Sequence, residues 1–346
     1  MFISDNCIII HGGGLVDPSK DVIMRLAKEV SPIFSSIEIG MYSFESLYNP
    51  DFIVNYNGEL IENAKTKRGT FFGTCRDIDL SSNEMIDKVL GNLIKKRIRT
   101  IIVAGGDGSS RQVAEIAERL IQHGINIIFA VPLTIDGING GRSIGIDQAV
   151  RESVRQIENI VSTSLMTRDR EKFGVVAVEL QGRNRDDIIA NVLRYFWRQG
   201  KVADCKLDEM DLWVVPANYP TDKMSLQYKI NSSDKRTLIL ISEGAQIKIS
   251  DIKKATKRKV RSLVVGHPSQ SNGLTTSEDM DRYSEWMQDI GILIKETPKD
   301  SFCIVNDGVS CYRESINYYA TLNPRETQIP NLSKGLVDLM KEYMAK

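Results

Sequence analysis

Three short segments place glycine beside acid or hydroxyl side chains directly after an apolar run. Gly105-Gly106-Asp107-Gly108-Ser109 follows Thr100 to Ala104 and precedes an amphipathic stretch. Paired glycines let backbone N–H groups approach a phosphate, Asp107 offers a hard oxygen to Mg²⁺, and Gly108-Ser109 opens a helix whose N-terminus favours an anion. An N-cap aspartate is the structural alternative. Thr134-Ile135-Asp136 follows Ile125 to Val131 and Pro132-Leu133. In an extended segment residues i and i+2 point the same way, so Asp136 could take the proton of a substrate hydroxyl while Thr134 orients a phosphate. An Asx-turn at Asp136-Gly137 is the structural alternative. His11-Gly12-Gly13-Gly14 follows Cys7 to Ile10. It suits a phosphate loop or a plain tight turn, and it has neither the G-x-G-x-x-G spacing nor the Gly-Lys-Ser/Thr of a P-loop.

Cations stand in similar places: Arg76 after Gly73-Thr74-Cys75, Arg183 after Gly182, Arg261 before an apolar run and His267 after Gly266. A guanidinium binds phosphate through a planar fork and can neutralise the charge that develops in phosphoryl transfer. Taken singly, each has an ordinary surface or structural use. Together they point to a nucleotide or phosphosugar site with one metal carboxylate and one base.

The elements that position these groups read as strands alternating with helices. Apolar runs at Cys7–Ile10, Thr100–Ala104, Ile125–Val131, Gly174–Leu180, Leu212–Val215, Leu238–Ile241, Ser262–Val265 and Phe302–Val305 each end in a turn or a charged residue. Helical patterns lie between them, at Ser19–Val30 and at Val113, Ile116, Ala117, Leu120 and Ile121. Continuous β-branched runs of this kind indicate parallel strands covered on both faces. The fold expected is α/β: two Rossmann-like lobes with mainly parallel sheets covered by helices, and an active site in the cleft between them. Ligands of such sheets lie at the carboxyl ends of the strands, where nearly all the residues above fall. The expected division is a nucleotide-binding lobe over 1–137 with a contribution from about 265–320, a sugar-phosphate lobe over 138–264, and a C-terminal helical segment over 321–346. Pro220–Arg236 reads as a surface excursion of weak periodicity, and the basic run Lys253–Arg261 as a solvated helix face.

Composition narrows the setting. The 346 residues include 45 Lys plus Arg against 45 Asp plus Glu, and 42% are apolar. That balance excludes a disordered, collagenous or disulfide-stapled chain. Zero net charge argues against a nucleic-acid surface, and no apolar run approaches the length of a membrane span. The N-terminus reads as a first strand, without a basic lead or a small-residue cleavage site. Five scattered cysteines without a CxxC suit reduced thiols. The expected location is the cytoplasm.

In their order and spacing these motifs resemble the phosphofructokinase family. The similarity runs from about Ile8 to Arg282 through Gly12-Gly13, Gly73-Thr74-Cys75-Arg76, Gly105 to Ser109, Pro132 to Asp136, Glu179 to Arg183, Ser242-Glu243-Gly244, Arg261 and Gly266-His267. The resemblance implies ATP- and Mg²⁺-dependent phosphoryl transfer to a hydroxyl of fructose 6-phosphate or a related sugar or polyol. It implies that Gly12, Gly13, Gly106, Gly108 and Ser109 meet the nucleotide, that Asp107 holds Mg²⁺, and that Arg76 contacts the transferred phosphoryl. Asp136 would be the base, assisted by Thr134. Gln181, Gly182, Arg183, Glu243 and His267 would hold the sugar phosphate, with Arg183 also steadying the transition state. Arg261 would reach a neighbouring subunit's substrate, so a homo-oligomer is implied.

The sequence also departs from the family. Gly108 and Leu133 stand where the pyrophosphate-dependent branch has an acidic residue and a lysine, which favours ATP; Gln112 replaces a glycine usual in the ATP branch. Ile138 replaces a second carboxylate, and Gly174 and Gln270 fall where the family has phosphate-binding arginines. Charge-assisted bonds of that kind are worth about 1.5–3 kcal/mol each, so fructose 6-phosphate is expected to bind weakly, or the acceptor to carry its phosphate differently or lack one. The alternative is a non-catalytic or regulatory paralogue that binds nucleotide. A lipid or nicotinamide-nucleotide kinase shares the Gly-Gly-Asp-Gly loop but not the later motifs.

Overall fold

The computed structural model describes residues 3–13, 18–67, 71–75, 78, 80, 82–136, 143–165, 173–182, 186–217, 221–271, 275–284, 302–306 and 309–311. The strands in chain order are β1 (Ile3–His11), β2 (Phe34–Gly40), β3 (Ile53–Asn55), β4 (Ile98–Gly105), β5 (Asn126–Pro132), β6 (Phe173–Leu180), β7 (Lys201–Val202), β8 (Cys205–Lys206), β9 (Met210–Val215), β10 (Arg236–Ser242), β11 (Lys259–Val265), β12 (Phe302–Asn306) and β13 (Val309–Cys311). The helices are α1 (Pro18–Val30), α2 (Glu45–Tyr48), α3 (Gly58–Thr66), α4 (Asn83–Lys95), α5 (Asp107–Gln122), α6 (Ile146–Leu165), α7 (Asp187–Gln199), α8 (Lys223–Ser232), α9 (Ile249–Ala255) and α10 (His267–Gln270). Residues 277–284 are also helical. The chain divides into two compact units, 1–147 with 271–327 and 148–270 with 328–346. The helical segment expected over 321–346 lies outside the described residues.

The first unit is built on a sheet of order β13-β12-β5-β4-β1-β2-β3. Strands β12, β5, β4, β1 and β2 are parallel, with β13 and β3 antiparallel at the edges. The runs Ile8–Ile10, Ile101–Val103 and Ile127–Val131 are buried throughout, as strands covered on both faces must be. One cover is α4 and α5, whose Val89, Leu93, Val113, Ile116 and Leu120 meet Ile8, Ile10, Ile101, Val103 and Phe129 in one core. Helix α1 buries Val22, Ile23, Leu26 and Ala27 at the expected spacing of three and four.

From β1 the chain goes to β2 and β3 on one side of it and to β4, β5 and β12 on the other. The strand order therefore reverses between β1 and β4, the position where open α/β sheets take ligands.

The second unit carries a four-stranded parallel sheet of order β11-β6-β10-β9. Val175, Ala177, Ile239 and Ile241 pack with Leu226 and Ile230 of α8 and Ile252 of α9, while α7 buries Ile188, Ile189, Val192, Leu193 and Phe196.

Two sequence expectations are corrected. Pro220–Arg236 is not an excursion, since it contains α8, which holds the core through Leu226 and Ile230, one helical turn apart. Nor is Lys253–Arg261 one helix face: it spans the end of α9 and the start of β11. Within it Arg258 is spent on backbone carbonyls, its guanidinium bonding Ile230 O, Ser233 O, Gly174 O and Lys235 O as well as Thr237 Oγ1. Among the described residues no helix is long and apolar enough to cross a membrane.

Candidate active site

The three glycine- and acid-bearing loops follow β1, β4 and β5 in the first unit, and direct contacts join them. Gly12 N–H donates to Ala104 O at 2.7 Å, and Ser109 Oγ donates to Gly12 O at 2.9 Å. A Cβ on Gly12 would collide with Ser109 Oγ, and one on Gly105 would lie 2.8 Å from Ser109 Cβ. These glycines are therefore needed for one loop to seat against the other, beyond any contact with a ligand. The buried Ser109 hydroxyl is committed to this junction. Its backbone N–H belongs to the first turn of α5, whose N-cap, Gly106, has no side chain to cap it. A helix start without a side-chain cap, at a sheet's switch point, is suited to an anion.

The third loop joins the second. Leu133 N–H donates to Gly105 O at 2.8 Å, and a Cβ on Gly106 would lie 3.3 Å from Thr134 Cβ. Thr134 Oγ1 accepts the Asp136 N–H at 3.2 Å, and both side chains are buried. Around Gly108 a Cβ would meet no atom within 4 Å among the described residues, whereas Leu133 is wholly buried. Gln112, the residue out of keeping with the ATP branch, donates its amide to Ile78 O. Beside Gly13, whose φ is +90°, stands Thr74. The segment carrying Thr74 is anchored by Tyr42 N–H donating to Phe72 O at 2.6 Å. Arg76 and Ile138 lie outside the described residues, as does the side chain of Asp107.

In the second unit Gln181, Gly182, Glu243 and His267 gather at the carboxyl ends of β6, β10 and β11. Gln181 Oε1 accepts the His267 N–H at 3.0 Å, and Glu243 Oε2 accepts the Gly182 N–H at 2.9 Å. Each bond links β6 to a flanking strand, the first across the point where the order of this sheet reverses. Sequence reasoning missed Asp186, which braces the same edge: its Oδ1 accepts Ser242 Oγ at 2.5 Å and Ala217 N–H at 2.9 Å. An aspartate heading a helix carries no sequence sign of such a bridge. Arg261 lies on the edge strand β11, and Arg183 lies outside the described residues.

The two positions without arginine have structural reasons. A side chain at Gly174 would run into the Arg258 guanidinium. Gln270 is fully buried, donating to Ser153 Oγ at 3.1 Å and Gln181 O at 3.3 Å.

Among the described residues no three His, Cys, Asp or Glu side chains come together to hold a metal. Mg²⁺ commonly takes one or two carboxylates and completes its shell with water and substrate phosphates. A single aspartate opening α5 fits that ion better than one needing an all-protein cage.

The sequence model of the phosphofructokinase family matches residues 36–290, most of the chain. The chain belongs to the phosphofructokinase family. Similar sequences include the ATP-dependent 6-phosphofructokinase of Trypanoplasma borreli, 26% identical over 40% of this chain and 27% of that one. The ATP-dependent 6-phosphofructokinase of Mannheimia succiniciproducens is 26% identical over 68% of this chain and 70% of that one. The chain thus spans only about a quarter of the first of these phosphofructokinases. The fold is that of Pichia pastoris phosphofructokinase in the T-state, with a TM-score of 0.72 at 14% identity, covering 98% of this chain and 42% of that one. A pyrophosphate-dependent phosphofructokinase from Nitrosospira multiformis has the same fold, with a TM-score of 0.65 at 13% identity over 85% and 77%.

Proposed function

We propose that this phosphofructokinase homologue transfers a phosphoryl group from ATP to a hydroxyl of fructose 6-phosphate or a related sugar or polyol, with Asp136 as the base. The observation that carries the reading is the junction of the three loops at the switch point of the first sheet: Gly12 on Ser109, Leu133 on Gly105 and Thr134 beside Gly106. It sets a helix N-terminus that favours phosphate next to a buried carboxylate able to accept a hydroxyl proton. Open space at Gly108 among the described residues and the apolar, buried Leu133 support a nucleotide over pyrophosphate, although pyrophosphate-dependent proteins share the fold.

In this reading Gly12, Gly13, Gly106, Gly108 and Ser109 form the donor's phosphate seat, with Ser109 acting through its backbone. Mg²⁺, held by Asp107, would neutralise donor phosphate charge when bound. Arg76 and Arg183 meet the transferred group and its developing charge, and Thr134 fixes the Asp136 backbone. Gln181, Gly182, Arg183, Glu243 and His267 hold the acceptor, and Arg261 completes the site of a neighbouring copy in a homo-oligomer. The free thiols of Cys7, Cys75 and Cys205 suit a reducing cytoplasm.

The burial of Gln270 and the guanidinium against Gly174 favour an acceptor held through hydroxyls. They also favour the second reading, a paralogue that binds nucleotide without turnover. Assay of fructose 6-phosphate, fructose and sorbitol with ATP and with pyrophosphate separates these readings. Asp136→Asn should lower turnover by roughly 10²–10⁴-fold with little change in Tm. Unchanged turnover would remove Asp136 from the mechanism, and no transfer to any acceptor would favour the paralogue.

A further inference from the structure

We propose that Arg282 is a positioning residue for Asp136, acting through Ser143 and Thr134; the inference rests on Asp136 being the base. The described residues that follow β5 up to Asp136 and those that begin at Ser143 are laced together. Thr134 N–H donates to Ile144 O at 3.0 Å, and Ile144 N–H donates to Pro132 O at 2.9 Å. Ser143 Oγ donates to Thr134 O at 2.7 Å, and Thr134 Oγ1 accepts the Asp136 N–H. The backbone that presents the Asp136 carboxylate is thus set by residues 143–145.

Those residues are held from the far end of the unit. Arg282 Nη1 donates to Ser143 O at 3.1 Å and Nη2 to Asp147 Oδ2 at 3.0 Å. Asp279 Oδ1 accepts the Gly145 N–H at 2.8 Å and lies 3.5 Å from Arg282 Nη1. Thr276 Oγ1 donates to Asp279 Oδ2 and accepts the Asp279 N–H. Asp279 is fully buried. Gly145 has a φ of +113°, so the returning chain turns where a side chain would be strained. The Arg282 guanidinium binds a carbonyl and a carboxylate simultaneously, a geometry that a lysine ammonium cannot reproduce. Arg282 therefore fixes Ser143, Ser143 fixes Thr134, and Thr134 fixes the base.

The test compares Arg282→Lys and Ser143→Ala with the parent and Asp136→Asn, using ATP and whichever of fructose 6-phosphate, fructose and sorbitol the parent phosphorylates fastest. Displacing a reacting group by about an ångström costs up to roughly 10²-fold in rate. Each variant should lower kcat roughly tenfold while leaving the KM for ATP within about twofold and the Tm near the parent's. The double variant should be scarcely slower than the slower single, because both act on one chain of contacts. Amide hydrogen exchange supplies a readout independent of turnover: in Arg282→Lys, Thr134 and Ile144 should exchange faster, with Ile101 and Val103 in β4 unchanged. Folded variants that keep kcat within about twofold of the parent, or unaltered exchange at Thr134 and Ile144, would overturn the proposal. If Arg282→Lys fails to fold, Ser143→Ala decides the kinetic arm. Equal turnover in the parent and Asp136→Asn would overturn the catalytic role of the contact chain, while the exchange rates still read whether Arg282 holds the loop.

Discussion

His11 sits uncomfortably in the first unit. It closes β1 just ahead of Gly12, is 1% exposed, and among the described residues neither ring nitrogen has a hydrogen-bond partner. Its ring is tilted against Phe72 with centroids 6.4 Å apart. Burial lowers its pKa to about 4, while an unfolded histidine titrates near 6.5. As pH falls below about 6.5 the unfolded chain takes up the proton first, so stability declines until about pH 4 and is unaffected by this group above the window. The loss is about 2 kcal/mol at pH 5. His11→Leu removes both the titration and the unsatisfied nitrogens, so its urea stability should fall less than the parent's between pH 7 and 5. Parallel losses in the two proteins would refute the assignment. Sequence showed His11 only as the lead residue of a glycine loop, because the residues packed on it include Phe72, which lies 61 positions away. Asp136 and Thr134 were legible, since they punctuate a strand; Arg282 and Asp279 were not, since their partners include backbone groups more than 130 residues distant.

At the scale of elements, the eight apolar runs became strands because each is continuous and β-branched. Strand β2 escaped notice because Ser35, Ser36 and Glu38 interrupt its apolar residues, and α8 escaped because only Leu226 and Ile230 are buried along it. Neither periodicity nor composition foretold that the loops after β1 and β4 would interlock through Gly12 and Ser109. That contact makes a coupled prediction. Gly12→Ala drives a methyl into Ser109, costing about 1–3 kcal/mol as overpacking does. Ser109→Gly clears the same space at the expense of one hydrogen bond. Combined, Gly12→Ala with Ser109→Gly should be at least about 1 kcal/mol more stable than the sum of the two single losses predicts. Chemical denaturation of the four proteins checks this, and additive losses would mean that the loops do not depend on each other.

At the scale of the whole molecule, the number of chains that make one working site is set by Arg261. Arg261 lies on β11, and β11 is an edge of the second sheet with Val264 51% exposed. An exposed edge strand bearing an apolar side chain is a natural place for another chain to dock. If Arg261 serves a neighbour's acceptor, Arg261→Ala and Asp136→Asn should each be nearly inactive, yet complement one another once mixed. In a hybrid dimer the subunit bearing Arg261→Ala keeps its own base and borrows Arg261 from its partner, so one of its two sites works. An equal mixture with free subunit exchange contains half hybrids, which predicts about a quarter of parent activity for a symmetric dimer. Co-expression of the two variants followed by assay with ATP and fructose 6-phosphate measures it. No recovery in verified hybrids would place Arg261 at its own subunit's site or outside the reaction altogether, and recovery without hybrids would expose contamination by the parent.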